Sequence, residues 1–313
     1  GGINVYLEQK MPLWGRLPRW MRGWLDARPL LRWAARRAGM TRTEDLGPPT
    51  LSMLRGEEGR QTAELEHLVG WLRDRGGADV VLLSNALLLG MARRMKQELG
   101  APILCTLQDE DAFLDTLPEP YRGRAWTLLA ERAADADAFL PVSRYYADVM
   151  QRRLGLAADR VHVVPLGVEM DDFTPAEAPP DPPTVGYLGQ QNRASGLDLL
   201  VEAYLAIRSR GRVPGVRLTI AGGRTRADEP FLAALRDRIA DAGADRDVAW
   251  RPIPDREAKR DLLAGLSVLS VPMRQGPAFG LYVLEAAAAG VPVVEPRAGA
   301  LEELVEATGD GVL

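Results

Sequence analysis

The fold is decided by residues 276–294, which read GPAFGLYVLEAAAAGVPVV. This stretch consists of a glycine-containing turn, an alanine-rich run with helical character, and a Gly-Val-Pro-Val-Val segment that leads into a strand. A helix that is followed at once by an apolar strand belongs to the alternating pattern that produces parallel sheets. The stretch therefore predicts an α/β protein.

Short apolar runs alternate with helical patterns from residue 78 onward. Near-continuous apolar runs are typical of parallel strands that are covered on both faces. The pattern predicts two Rossmann-like, doubly wound parallel-sheet lobes, with ligands bound in an interlobe cleft at the carboxyl ends of the strands. The predicted strands are 78–84, 103–107, 138–142, 161–164, 185–188, 216–221, 248–250, 266–271 and 291–294, and the predicted helices are 87–99, 124–136, 145–154, 197–208, 231–242, 256–263, 280–289 and 300–307.

A change of composition separates the two lobes. Residues 174–183 contain five prolines in ten residues and no apolar periodicity, so we interpret them as a stiff linker between lobes at 1–173 and 184–313. The chain begins with a glycine pair that no strand precedes, and residues 311–313 read as the middle of a strand or turn. We therefore expect a chain truncated at both ends, without the first strand of the N-terminal lobe and the end of the C-terminal lobe.

Composition and charge exclude several classes of function. The 313 residues include 39 Lys and Arg against 43 Asp and Glu, whereas a dedicated nucleic-acid-binding protein shows a basic excess. Cys105 is the only cysteine and lies in an apolar run, so we predict a core residue rather than a nucleophile. His67 and His162 match no metal-binding spacing, and we expect neither a metal nor another cofactor. With no run of ~20 apolar residues and no signal peptide, a cytoplasmic protein is expected.

Residues 13–40 differ from the rest of the chain. They hold four of the seven tryptophans and seven arginines, against one acidic residue, Asp26. A basic and aromatic amphipathic stretch can bind the surface of an anionic membrane. The alternative is a lobe-capping helix with inward tryptophans and solvated arginines. Peripheral contact with the inner face of a membrane stays open at this point.

The turn within residues 276–294 suits an anion. The backbone N–H groups of Gly280 and Leu281, with the positive end of the helix dipole, can hold a diphosphate. Glu285 lies one to two turns further along the helix, where its carboxylate can accept hydrogen bonds from ribose hydroxyls. The alternative is an ordinary βα unit with Glu285 on a solvated face.

Several segments, in their order and spacing, resemble the family 4 glycosyltransferases, which have the two-Rossmann GT-B architecture. The resemblance covers most of the chain and is strongest over 164–313. It implies retaining transfer of a hexose-type sugar from a nucleoside-diphosphate sugar to an acceptor hydroxyl, without a metal, in the synthesis of a glycan or a lipid-linked product. The segments are 164–169 (VPLGVE), 173–175 (FTP), 218–223 (LTIAGG), 279–285 (FGLYVLE), 290–294 (GVPVV) and 309–313 (GDGVL).

The resemblance also assigns roles to individual residues. It makes 1–173 the acceptor-side lobe and 184–313 the donor lobe, with Glu285 on the ribose. In the acidic loop 108–111, it implies acceptor-side or catalytic residues, although acidic residues are also favoured at helix N-termini. The implied donor-binding residues are Gly1, Gly2, Gln190, Arg193, Ile253, Phe279, Gly280, Leu281 and Glu285, and the implied catalytic residues are Asp109, Glu110 and Arg193.

Three positions depart from the family pattern. Pro277 stands where the family usually has a glutamate that contacts the donor sugar. Gln190 and Ser195 stand where it usually has an arginine and a lysine that face the diphosphate. Arg193 lies between them and can supply a charge, since a guanidinium clamps phosphate oxygens. The departures keep two alternatives open: a degenerate homologue that binds a nucleotide sugar or glycan as a scaffold, and, more distantly, a sugar-nucleotide epimerase.

Overall fold

The computed structural model describes residues 46–176, 178–253 and 255–313. The predictions for the glycine pair at 1–2 and for the segment 13–40 lie outside these ranges. The predicted α/β class is confirmed, because the strands pair in parallel and helices alternate with them along the chain.

The chain divides into two compact units, Gly1–Val164 and Pro165–Leu313. The predicted boundaries at 173 and 184 stay a prediction. In the described part of the first unit, a three-stranded parallel sheet has the order β1-β2-β3. Its strands are β1 (Val81–Leu83), β2 (Ile103–Leu107) and β3 (Ala138–Pro141), and its helices are α1 (Gly47–Leu54), α2 (Thr62–Asp74), α3 (Ala92–Leu99), α4 (Glu110–Leu114), α5 (Tyr121–Arg132) and α6 (Arg144–Leu154).

The second unit contains a six-stranded parallel sheet with the order β6-β5-β4-β7-β8-β9. Counted from the unit's own first strand, this is the order 3-2-1-4-5-6 of a doubly wound dinucleotide-binding fold. Its strands are β4 (Thr184–Leu188), β5 (Arg217–Ala221), β6 (Val248–Arg251), β7 (Val268–Leu269), β8 (Val293–Val294) and β9 (Gly311–Val312), and its helices are α7 (Leu197–Arg210), α8 (Glu229–Asp241), α9 (Arg256–Ala264), α10 (Leu281–Ala288) and α11 (Leu301–Thr308).

The strand order creates a switch point between β4 and β7. β4 pairs with β5 through Val185 and Leu218 and with β7 through Val185 and Val268. The chain therefore leaves β4 toward one edge of the sheet and leaves β7 toward the other. The loops at the carboxyl ends of these two strands diverge, and ligands of such sheets bind at this place.

The predicted strand 161–164 is wrong. Val161 makes only an isolated parallel bridge to Phe139, and the backbone N–H of Val164 donates to Pro141. Pro165 has no N–H to continue the ladder, and the side chains of residues 163 and 164 are exposed. The segment is therefore extended but not part of a regular strand.

The helix predicted at 87–99 begins later than expected. Residues Ala86–Met91 form a 3₁₀ segment, and the α-helix starts at Ala92. Gly90 lies so close to α1 that an added Cβ would be 2.1 Å from the Met53 carbonyl oxygen. The sequence pattern did not predict α1, α2 or α4. In α1, two prolines stand in the first turn, and prolines in a sequence are more often taken as the end of a helix than as its start.

A buried carboxylate joins three elements of the second sheet. Glu295, directly after β8, is 3% exposed. Its Oε1 accepts a hydrogen bond from the backbone N–H of Val271, after β7, at 3.0 Å, and its Oε2 accepts from the Tyr282 hydroxyl of α10 at 3.0 Å. Burial raises the pKa of Glu295 from its ordinary 4.5 to about 8, although both hydrogen bonds oppose the shift. The contact fixes α10 against the end of β7.

The substitution Glu295→Gln is expected to flatten the pH dependence of stability. The unfolded chain loses this proton near pH 4.5 and the folded chain near pH 8, so the stabilisation is complete below pH 4.5 and is lost as the pH rises to about 8. The contribution has a maximal slope of about 1.4 kcal/mol per pH unit. Urea unfolding at several pH values within this window measures it, with Glu306→Gln, an exposed position of α11, as the control. A free-energy difference between wild type and Glu295→Gln that stays constant with pH would contradict the assignment.

Candidate functional site

The loops 189–196 and 270–280 follow β4 and β7 at the switch point. Arg274 in the second loop connects them. Its guanidinium binds both carboxylate oxygens of Asp198, at 2.7 and 2.9 Å, and its backbone N–H donates to the Ala194 carbonyl at 3.0 Å. A bidentate pair has a fixed geometry, so the two loops are held in one arrangement.

Two close backbone approaches fix the start of α10. Gly280 precedes the helix with φ of 124°, a conformation that L side chains rarely adopt, and an added Cβ would lie 2.9 Å from Leu301 Cδ2. At Gly276, an added Cβ would lie 2.1 Å from the backbone nitrogen of Gly299. The glycines of this turn are therefore required by packing. They bring the first residue of α10, Leu281, to the carboxyl end of the sheet, where its side chain is 37% exposed.

Pro277 forms part of the same turn. Its side chain is buried, and its carbonyl accepts a hydrogen bond from the backbone N–H of Ala300 at 3.1 Å. The residue supports the turn and presents no polar side chain. The carboxylate that the family pattern puts at this position has no counterpart here.

A cavity of about 390 Å³ lies within the second unit, beside the first two turns of α10. It combines Leu281 and Glu285 of α10, both predicted donor-binding residues, with one face of α9 and with the segment before the proline-rich run. Its lining residues are Gly167, Val168, Glu169, Phe173, Arg256, Lys259, Arg260, Leu281 and Glu285.

Glu285 is buried in this cavity wall, with 8% of its surface exposed. The interpretation that it lies on a solvated face is therefore wrong. Its Oε1 accepts from Lys259 Nζ at 2.5 Å, and the charge of the lysine compensates a carboxylate that would otherwise be buried alone. The pair presents a polar, hydrogen-bonding wall one to two turns from the N-terminus of α10.

The cationic residues of the cavity were not predicted as site residues. Arg256, Lys259 and Arg260 are at positions i, i+3 and i+4 of α9, so they lie on one face of the helix. That spacing is visible in the sequence, and it is the signal that would have found them. The partner of Lys259, Glu285, is 26 residues away along the chain, so a pattern of neighbouring residues does not predict this contact.

Arg193 and Gln190 lie in the loop after β4 and are exposed. Arg193 stacks over the ring of Phe231 in α8, with its Cζ 5.7 Å from the ring centroid. The carbonyl of Gln190 accepts from the buried Tyr187 hydroxyl at 2.5 Å. Neither residue lines the cavity, so their contact with a diphosphate stays a prediction. Ser195 is buried, and its backbone N–H donates to the Asn192 side chain at 2.9 Å.

Ile253 and Phe279 complete the predicted donor-binding residues that the structure describes. Ile253, after β6, is half-buried. Phe279 is 5% exposed, so its side chain is buried in the hydrophobic core. Binding roles for both residues stay predictions.

In the first unit, Glu110 is an interior residue. Its Oε1 accepts from the Ala86 N–H at 2.9 Å, and its Oε2 accepts from the Gln108 N–H at 2.7 Å and the Tyr146 hydroxyl at 2.8 Å. Burial raises the pKa of Glu110. These bonds position the loop after β2 in the manner of a structural carboxylate.

Asp109 precedes α4 in the left-handed conformation, with φ of 60°. It is exposed and occupies the N-cap position of α4, with Glu110 and Asp111 in the first turn, although its side chain makes no helix-capping hydrogen bond. The catalytic roles of Asp109 and Glu110 stay predictions. Cys105, on β2, is buried as expected for a core residue, and burial raises the pKa of its thiol.

The cavity can bind an anion with attached hydroxyl groups. The helix start offers backbone N–H groups, α9 offers cations, and Glu285 offers an acceptor. Within residues 46–313 apart from 177 and 254, no group of three or more His, Cys, Asp or Glu side chains is arranged to hold a metal ion. None of the helices described is long and apolar enough to cross a membrane.

Two family models match the chain. Residues 33–172 match the model described as Glycosyltransferase Family 4, and residues 182–313 match the model described as Glycosyl transferases group 1. The second match contains the cavity residues of α9 and α10. Together the two matches span both compact units.

Curated relatives agree with these matches. A D-inositol 3-phosphate glycosyltransferase of Xylanimonas cellulosilytica is 32% identical over 215 residues, which cover 63% of this chain and 49% of the relative. A GDP-mannose-dependent alpha-(1-6)-phosphatidylinositol monomannoside mannosyltransferase of Mycolicibacterium smegmatis is 34% identical over 198 residues, covering 58% and 50%. The chain spans about half the length of these relatives.

Solved structures support the fold. Sucrose-phosphate synthase from Thermosynechococcus elongatus matches with a TM-score of 0.66 and 20% identity, covering 81% of this chain and 64% of that one. Anabaena HepE, solved in complex with UDP, matches with a TM-score of 0.68 and 17% identity, covering 82% and 70%. From the two family matches and these relatives, the chain belongs to the family 4 glycosyltransferases, with the GT-B fold.

Proposed function

We propose that the protein is a retaining glycosyltransferase that moves a hexose-type sugar from a nucleoside-diphosphate sugar to an acceptor hydroxyl. The observation that carries the proposal is the buried Glu285, which stands in a cavity wall beside the N-terminus of α10. A diphosphate at the helix start and a ribose at the carboxylate fit the two ends of this arrangement. The UDP complex of Anabaena HepE, a protein of the same fold, supports a nucleotide donor.

Departure of the nucleoside diphosphate is the step that needs charge stabilisation. The first turn of α10 supplies partial positive charge, and Arg193 is the proposed cation of the loop after β4. Gln190 and Ser195 are uncharged, so Arg193 stands without the neighbouring cations that the family pattern has. Arg193 would leave the ring of Phe231 and turn toward the phosphates when a donor binds. Retention of the anomeric configuration is proposed from the family resemblance alone.

The acceptor is proposed to be a glycan or a lipid-linked hydroxyl compound. The curated relatives with identity above 30% are named for an inositol phosphate and a phosphatidylinositol mannoside. A phosphorylated or membrane-held acceptor would also suit the arginine- and tryptophan-rich segment 13–40. A cytoplasmic protein at the inner face of a membrane is consistent with this acceptor class.

A non-catalytic nucleotide-sugar-binding scaffold is the second candidate. The observation that favours it is Pro277, which is buried in the turn and brings no carboxylate to the donor sugar. Incubation of the protein with UDP- and GDP-sugars, with release of the nucleoside diphosphate as the readout, separates the candidates. Release that depends on an added acceptor supports transfer, whereas nucleotide binding without release from any donor supports the scaffold.

Glu285→Gln is expected to weaken binding of the nucleoside diphosphate by roughly 10- to 100-fold, the loss for a hydrogen bond to a charged acceptor. Isothermal titration with UDP and GDP measures the affinity. Glu202→Gln is the matched control, since Glu202 also forms an ion pair, with Arg238 at 2.9 Å, but lies on the exposed face of α7. Unchanged affinity in Glu285→Gln would remove the ribose assignment.

Arg193→Ala is expected to lower kcat by about 100-fold or more while the thermal unfolding midpoint changes little, because the side chain is exposed. Steady-state kinetics and a thermal melt measure the two effects. Arg236→Ala is the control, because Arg236 also stacks on an aromatic ring, that of Trp250 at 5.0 Å. Equal loss of activity in both variants would argue against a phosphate contact of Arg193.

A further inference from the structure

We infer that Lys259 is a positioning residue for ribose recognition: it binds one oxygen of Glu285 and leaves the other to accept hydrogen bonds from the 2′- and 3′-hydroxyls of a ribonucleotide. The inference rests on the proposed function and deepens it, because it assigns the discrimination between ribose and deoxyribose donors to an ion pair between α9 and α10.

Lys259 contacts one of the two carboxylate oxygens of Glu285. Lys259 Nζ lies 2.5 Å from Glu285 Oε1. In the described part of the chain, no hydrogen bond is made to Glu285 Oε2, and this residue lines the cavity. A carboxylate oxygen has two lone pairs, so the oxygen that lysine does not bind can accept from vicinal hydroxyl groups.

Other carboxylates of the chain are bound differently. Arg274 binds both oxygens of Asp198, at 2.7 and 2.9 Å, and Arg238 binds both oxygens of Glu202, at 2.9 and 3.1 Å. These bidentate contacts use the fork of the guanidinium and occupy the whole carboxylate edge. A lysine is a point charge and engages one oxygen while the other stays accessible.

Lysine is a rare residue in this chain, so its presence at position 259 is unusual. Lys10, Lys96 and Lys259 are the three lysines among its 39 basic residues, and both neighbours of Lys259 on the same face of α9, Arg256 and Arg260, are arginines. A charge alone would be supplied equally well by arginine. The site therefore fits a requirement for a cation that neutralises Glu285 without covering it.

Burial makes the cation necessary. The side chain of Glu285 is 11% exposed and that of Lys259 is 28% exposed. A buried carboxylate without a charge partner is strongly destabilising. Lys259 compensates the charge of Glu285 at one oxygen, so the other oxygen can accept from the sugar hydroxyls.

The test compares ribose discrimination among variants. The probes are UDP and GDP with their 2′,3′-dideoxy counterparts, and the readout is the ratio of the dideoxy Kd to the ribonucleotide Kd. We expect a wild-type ratio of roughly 10 or more, which falls toward 1 in Glu285→Gln. The same fall is expected in Lys259→Met, which leaves Glu285 without its charge partner.

Lys259→Arg separates charge from geometry. It keeps the ion pair and the fold, and we expect its discrimination ratio to fall as well, because a bidentate arginine covers the second oxygen. Lys96→Met is the matched control, since Lys96 forms a lysine–carboxylate pair with Asp137 at 2.6 Å in the first unit. Its ratio should equal that of wild type.

The outcomes distinguish the inference from the proposed function. A wild type that binds neither UDP nor GDP overturns both. A wild type that discriminates, together with Lys259→Met and Lys259→Arg variants that discriminate equally well, overturns only the inference. Thermal melts of each variant identify any loss of folding. If Lys259→Met unfolds, the discrimination ratio of Lys259→Arg still tests the inference.

Discussion

Parallel pairing of β4 with β5 on one side and with β7 on the other is the constraint on which the second unit depends. It makes the chain leave β4 and β7 in opposite directions and so creates the switch point. The donor-binding residues predicted within this unit lie in loops at that edge or on α10. Arg274 joins the two diverging loops, and the close approach of Gly276 to Gly299 sets where α10 begins.

Buried polar groups then hold the elements around this edge in register. Glu295 connects the end of β7 to α10, and the hydroxyl of Tyr187, which is fully buried, binds the loop after β4. Such contacts are favourable only when each partner is in place, because a buried polar group without a hydrogen bond is strongly destabilising. The site is therefore positioned by interior contacts.

The acidic residues of the two units have different roles. In the second unit, a glycine turn, a helix start and an ion pair converge on one cavity. In the first unit, Glu110, one of the two acidic residues that the family resemblance makes catalytic, binds Ala86, Gln108 and Tyr146. The same residue type thus faces a cavity in one unit and holds a loop in the other. Both carboxylates are buried, so their partners and positions, rather than residue identity or burial, separate these roles.

The sequence by itself determined the α/β class, the alternation of strands and helices, the glycine turn before α10 and the position of Glu285 on that helix. These features are local, since periodicity and turn chemistry are encoded by residues within a few positions of one another. The tertiary structure alone decided that 161–164 pairs too little to form a strand, that Glu295 is enclosed, and that Lys259 meets Glu285. Each depends on which elements pack together, since Lys259 and Glu285 are 26 positions apart on two helices and meet only when the chain has folded.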